Sequence, residues 1–121
     1  MRVMKFGGSA STFDRCVGPY GETFKPIYEQ GSVSSRLDDI VKREGLNVNY
    51  IKIDVDGNEL RVIKSMPEII KSNNLKSICI ELNPNTEEGK EVIEILSKDL
   101  PKFKPIPWYK NQEVVDYIFE K

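Results

Sequence analysis

The sequence predicts an α/β fold with a mostly parallel sheet and a C-terminal antiparallel β-hairpin, and three observations predict it. Two short apolar runs, YIKIDV at residues 50–55 and SICIEL at residues 77–82, have the length and β-branched content of buried strands. Helical periodicity precedes the first run, separates the two and follows the second, the alternation expected of a parallel sheet with right-handed crossovers. The last segment, FKPIPWYKNQEVVDYIFEK, reads as two strands around the polar turn KNQE.

The elements are justified in order. At 121 residues the chain has the length of a single domain, residues 1–121. Residues 1–33 read as irregular chain with short strands. GGSAST and GPYG are turn chemistry, and Pro26 demotes TFKPIYE to an edge or bulged strand. The segment SSRLDDIVKREG opens with hydroxyl cap candidates Ser34 and Ser35. It carries Asp38 and Asp39 in its first turn, Lys42 and Arg43 in its last, and Gly45 where a helix would stop. Leu37, Ile40 and Val41 form its narrow apolar stripe.

The run YIKIDV follows, interrupted only by Lys52. NELRVIKSM is then a helix with Leu60, Ile63 and Met66 inward, and Pro67 ends it or restarts it as a first helical residue. After SICIEL, the triplet Asn83-Pro84-Asn85 breaks the strand as a turn. Thr86 can cap TEEGKEVIEILSKDL, where Val92, Ile93, Leu96 and Leu100 face the sheet and Gly89 weakens the first turn. Trp108 and Tyr109 are expected to pack in the core of the terminal hairpin.

Composition removes several classes of function. There are 18 basic and 19 acidic residues, a balance with no nucleic-acid or membrane-surface footprint. Apolar runs are too short to span a bilayer, and MRVMKFGGSAS lacks a secretory core, so a cytoplasmic location is expected. Cys16 and Cys79 read as free thiols rather than a disulfide. The chain has no histidine, which excludes Ser-His-Asp and Cys-His systems, histidine metal sites and imidazole acid–base chemistry. Proton transfer must then use carboxylates, Lys, Tyr, Cys or the substrate.

In an open α/β sheet, ligands sit beyond the carboxyl ends of the strands. That rule selects Asp54, Asp56 and Glu59 after the first strand and Glu81 with Asn83 at the end of the second. Asp56, Asn58 and Glu59 would serve equally as the cap of the next helix, and Glu81 as an edge carboxylate on backbone amides. Asp54, read as part of a buried strand, is harder to explain structurally, because an unpaired buried carboxylate costs several kcal/mol. An EF-hand calcium loop begins like DVDGNE, but Glu59, Arg61 and Ser65 stand at its sixth, eighth and twelfth positions, so that reading fails.

The segment VNYIKIDVDGNELRVIKSM resembles the signature of the FkbM-type methyltransferases, hydrophobic-IKIDVEG-x-E-x-x-hydrophobic-L-x-G. Asp54, Gly57 and Glu59 match it, Asp56 stands where glutamate is usual, and Ser65 or Met66 where glycine is frequent. SRLDDIV is similar to the family's T-LD-x-L helix start, SICIEL to its later strand ending in glutamate, and DYIFEK to its closing strand. The likeness covers residues 34–121 in order. It implies a seven-stranded Rossmann-like fold that uses S-adenosylmethionine to methylate, commonly, a hydroxyl on a small molecule or saccharide. Within that reading the strand-end acids Asp54, Asp56, Glu59 and Glu81 are expected to be catalytic, and Asn83 is expected to bind substrate.

The family's glycine-rich cofactor loop and the acid after its second strand have no counterpart, since no hydrophobic strand ending in an acid precedes GGSAS. The matched part corresponds to strands four to seven, so the cofactor-binding residues are unassigned and the chain reads as a truncated domain or one completed by a separate chain. The exposed edge of strand 50–55 is expected either to lie under the N-terminal residues or to pair with a second copy in a homodimer. The competing readings are a non-catalytic binding or assembly module and a carboxylate metal protein holding Mg²⁺ or Ca²⁺.

Overall fold

The computed structural model describes residues 23, 25, 31, 33–55, 57–106 and 113–121. The chain divides into two compact units, Met1–Ser34 and Ser35–Lys121. In the first, Thr23 lies in an isolated β-bridge, and Thr23, Lys25, Gly31 and Val33 are exposed. GGSAST, GPYG and the remainder of TFKPIYE lie outside the described residues, as do Cys16, Asp56, Trp108 and Tyr109.

The second unit runs α1 (Leu37–Glu44), β1 (Tyr50–Ile53), α2 (Glu59–Lys64), α3 (Pro67–Lys71), β2 (Ser77–Leu82), α4 (Glu87–Ser97), β3 (Lys102–Ile106) and β4 (Val115–Glu120). The four strands form one sheet in the order β1-β2-β4-β3. β1 and β2 are parallel, with Ile51 opposite Ile78 and Ile53 opposite Ile80. β4 runs antiparallel to both β2 and β3.

The sheet is therefore mixed rather than mostly parallel, and the antiparallel strand is interior, not at the edge. Composition explains the inversion. β4 brings Phe119, fully buried, and a half-buried Tyr117. β3 is KFKPI, whose two lysines and proline suit a sheet edge that must not recruit another strand. Phe103 of β3 still stacks on Phe119 at 5.1 Å between ring centroids, a contact worth about 0.5–1.5 kcal/mol.

Period-2 alternation puts Ile78, Ile80 and Leu82 of β2 on one face, where all three are buried with Ile53 and Phe119. Ile63, Met66, Ile69, Ile70, Val92, Leu96 and Leu100 complete that core. Helical periodicity located Ile63, Met66, Val92, Leu96 and Leu100, which are buried, and Leu37, Val41, Leu60 and Ile93, which pack against them, but Ile40 of the expected α1 stripe is not among the core residues. The expectation that β1 is a buried strand fails, since Tyr50 is 71% exposed and only Ile53 is buried, and β2 is fully buried on one face alone. Among the described residues β1 is a terminal strand of its sheet, with one neighbour rather than two.

The cap of α1 also differs. Arg36, not Ser34 or Ser35, holds the cap position, without a side-chain hydrogen bond, whereas Gly45 ends the helix at φ 62° as its lack of Cβ allows. Asp38 is buried rather than a solvated first-turn acid. Its Oδ2 accepts the Glu68 N–H at 3.0 Å and its Oδ1 the Ile69 N–H at 3.1 Å. A side chain of α1 thus caps α3, where Pro67 occupies the first turn.

Gly89 is a packing requirement. A Cβ built there would lie 2.0 Å from the carbonyl oxygen of Asn83. That carbonyl is held over the first turn of α4 because it accepts the Thr86 hydroxyl at 2.9 Å, while the same hydroxyl oxygen accepts the Gly89 N–H at 3.0 Å.

Two outcomes follow. Gly89→Ala should destabilise the chain by about 1–3 kcal/mol through overpacking, although helix propensity alone favours alanine by about 1 kcal/mol. Thermal unfolding gives the sign directly. Asp38→Asn should cost about 1–3 kcal/mol in urea unfolding, because its amide group sets a donor against one of two N–H donors.

Candidate functional site

β1 and β2 are adjacent and parallel, so their carboxyl ends lie side by side on one edge of the sheet. Asp54 follows β1 directly, and Glu81 is the penultimate residue of β2, opposite Asp116 of β4. Asn83 follows β2. Gly57 turns the chain out of β1 at φ 92°, a backbone conformation that glycine adopts without a Cβ penalty.

The five candidates have different surroundings. Asp54 is not buried: its side chain is 54% exposed, and its carboxylate lies 3.8 Å from the Lys52 ammonium. Because β1 ends at Ile53, the apolar run closes one residue before the acid, and the argument from burial does not hold for it. Glu59 is half-buried at the start of α2 and accepts the Gly57 N–H at 3.1 Å, a bond to the turn before the helix, while Asn58 at the cap position makes no side-chain cap bond. Asn83 Oδ1 accepts the Asn85 N–H at 3.0 Å, making the expected turn. Glu81 is half-buried. Asp56 lies outside the described residues.

Three further side chains join this edge. Lys52 and Cys79 are cross-strand partners on the face opposite the apolar core, and Ile118 faces Cys79 from β4. The Lys52 ammonium donates to Asp116 Oδ1 at 2.5 Å, reaching across β2 to a residue 64 positions later. The Asp116 side chain is only 14% exposed. The Cys79 thiol points at the same oxygen from 3.9 Å. The group therefore combines Lys52 with Asp54, Cys79 and Asp116 beside Glu81.

The electrostatics follow from that geometry. Partial burial works against the Lys52 charge, but the hydrogen bond and charge of Asp116 outweigh it, with Cys79 and Asp54 adding to the effect, and Lys52 titrates above its ordinary 10.5. Burial raises the Cys79 thiol, Lys52 opposes the shift, and Asp116 reinforces it. Cys79, which is a free cysteine, is thus a protonated thiol near neutrality rather than a nucleophile.

Sequence reasoning treated Lys52 only as an interruption and did not single out Asp116. Period-2 alternation along β1 sets Lys52 on the face opposite Ile51 and Ile53, and is the local signal that could have found it. The partner on β4 could not be found the same way, because the strand order decides it.

Among the described residues no group of three His, Cys, Asp or Glu side chains is placed to hold a metal ion. No helix among them is long and apolar enough to cross a membrane. A groove of about 310 Å³ between α1 and α3 is lined by Val41, Leu46, Val48 and Ile69 with Asp38, and none of its lining residues belongs to the carboxylate edge.

The Methyltransferase FkbM domain matches residues 7–118, nearly the whole chain, and the protein therefore belongs to the FkbM methyltransferase-domain family. The match begins upstream of residues 34–121, where the signature motifs are readable. Compared with curated proteins and with solved structures, the chain has no match.

The Lys52 shift has a pH consequence. Since the folded-state value is raised, the stability it contributes is fully present below the unfolded value and is lost as pH rises through the folded one. Urea unfolding across the alkaline range should show wild type losing more stability than Asp116→Asn, with the two curves converging above the Lys52 transition. Parallel curves would contradict the coupling.

Proposed function

We propose that the chain is an S-adenosylmethionine-dependent methyltransferase acting on a hydroxyl of a small molecule or saccharide. Its membership of the FkbM family over residues 7–118 carries this reading. Asp54, Glu59, Glu81 and Asn83, at the ends of two adjacent parallel strands, support the assignment of that edge to the methyl acceptor. Asp54 is the exposed member, available to accept or orient the proton of an incoming hydroxyl. Asp56 belongs to the same proposed rim by its place in the signature.

The described residues do not supply the cofactor loop implied by the resemblance. Gly45 ends a helix, Gly57 leaves β1 with its N–H held by Glu59, and Gly89 is packed beneath the Asn83 carbonyl. No cofactor-binding residue is assigned, and no step is derived through the cofactor. The chain's own contribution is to bind and orient the acceptor, where proximity and alignment account for much of a methyl transfer.

The four strands of the second unit, with a parallel pair joined through α2 and α3 and a terminal hairpin, support its reading as strands four to seven of a Rossmann-like domain. The cytoplasmic location remains part of the proposal. So does completion by a separate chain or by a homodimer formed along the edge of strand 50–55, where β1 has one neighbour among the described residues. The second reading, a non-catalytic binding or assembly module, is favoured by the local backbone hydrogen bonds that Glu59 and Asn83 accept.

Titration calorimetry with S-adenosylmethionine separates the readings. Heat of binding is expected for the enzyme, and its absence, both alone and with a candidate completing chain, leaves the module. In an active preparation Asp54→Asn should lower kcat by about 100-fold or more, while Asn83→Ala should act mainly on KM.

A further inference from the structure

We propose that Lys52 is a positioning residue of this edge, using Asp116 of the last strand as an anchor to hold the Asp54 carboxylate in place beyond β1. The proposal rests on the reading of Asp54 as an acceptor-facing group, and it assigns a role to two residues outside the carboxylate rim. Asp54 lies past the last ladder pair of β1, so strand hydrogen bonding does not orient it. Its side chain is exposed, and an exposed carboxylate without a fixed partner samples several rotamers.

Lys52 is differently placed. It lies within the ladder, opposite Cys79, on the same side of the strand as residue 54 by period-2 alternation. Its ammonium is fixed at 2.5 Å by a carboxylate that is itself largely buried and carried by an interior strand. The ammonium charge then lies 3.8 Å from the Asp54 carboxylate, within ion-pair reach though beyond a direct hydrogen bond. Rigidity passes from the sheet interior through Asp116 and Lys52 to the exposed acid. An isolated exposed pair between residues 52 and 54 would be worth little, whereas a lysine anchored on its other side loses less freedom when it binds Asp54. The Cys79 thiol, directed at Asp116, occupies the same polar strip without supplying a charge.

The test uses the full chain carrying carbon-13 at aspartate side-chain carboxyls, observed by NMR near neutral pH. Lys52→Met should move the Asp54 carboxyl resonance, and Lys52→Arg, which keeps the charge, should return it toward the wild-type position. Asp116→Asn should also move it, and should move it less in the Lys52→Met background, a coupling that a direct charge effect of Asp116 on Asp54 would not give. That relay is the signature that a merely structural lysine would not produce. If Lys52→Met does not fold, Lys52→Gln and Asp116→Asn pose the same question. An Asp54 resonance unmoved by Asp116→Asn, with the amide spectrum otherwise native, overturns the proposal. S-adenosylmethionine titration of the wild type is read separately. A relay seen without cofactor binding, both alone and with a candidate completing chain, removes the enzyme reading, and cofactor binding without a relay removes only the positioning role.

Discussion

β2 is hydrogen-bonded along both edges, parallel to β1 on one side and antiparallel to β4 on the other, and its Ile78, Ile80 and Leu82 lie buried beneath the helices. The rest of the second unit depends on that double pairing. Among the described residues β1 pairs in the sheet only with β2, and β3 only with β4. A central strand with an apolar face satisfies its backbone groups while burying side chains worth about 1.5–3 kcal/mol each. The carboxylate edge exists because β2 brings the ends of its neighbours to the same level.

Two acids illustrate how burial and chemistry separate. Asp38 is the buried carboxylate of the described structure, and its two oxygens are fully engaged as the cap of α3. Asp54, in the strand signature, is exposed and lightly held. Asp38 at the start of α1 is thus a structural device that docks α1 on α3. The acid open to solvent is the one that burial did not explain. Burial with two backbone donors marks a stabilising role, and exposure at a strand end leaves a group available for chemistry.

The turn after β2 works on the same principle of local satisfaction. Asn83, Thr86 and Gly89 form one hydrogen-bonded unit that seats α4 against the strand end. The Asn83 amide is partly committed to that turn, and this bears on how it would contact a substrate. Lys52 and Asp116 add a second tie, from β1 over β2 to β4, so the edge is completed only when the C-terminal strand is in place.

The sequence alone determined the elements whose causes are local. SICIEL is a strand, Pro67 begins a helix, Thr86 caps α4 and Gly45 ends α1, because alternation, proline geometry, a hydroxyl acceptor and a missing Cβ each act within a few residues. The signature around Asp54, Gly57 and Glu59 was readable for the same reason, and it led to the family. Tertiary structure decided the rest. The insertion of β4 between β2 and β3, the burial of Asp38, the exposure of Asp54 and the pairing of Lys52 with Asp116 all arise from which surfaces meet. Residues 52 and 116 carry no local sign of each other; only the order of strands in the sheet brings their charges together.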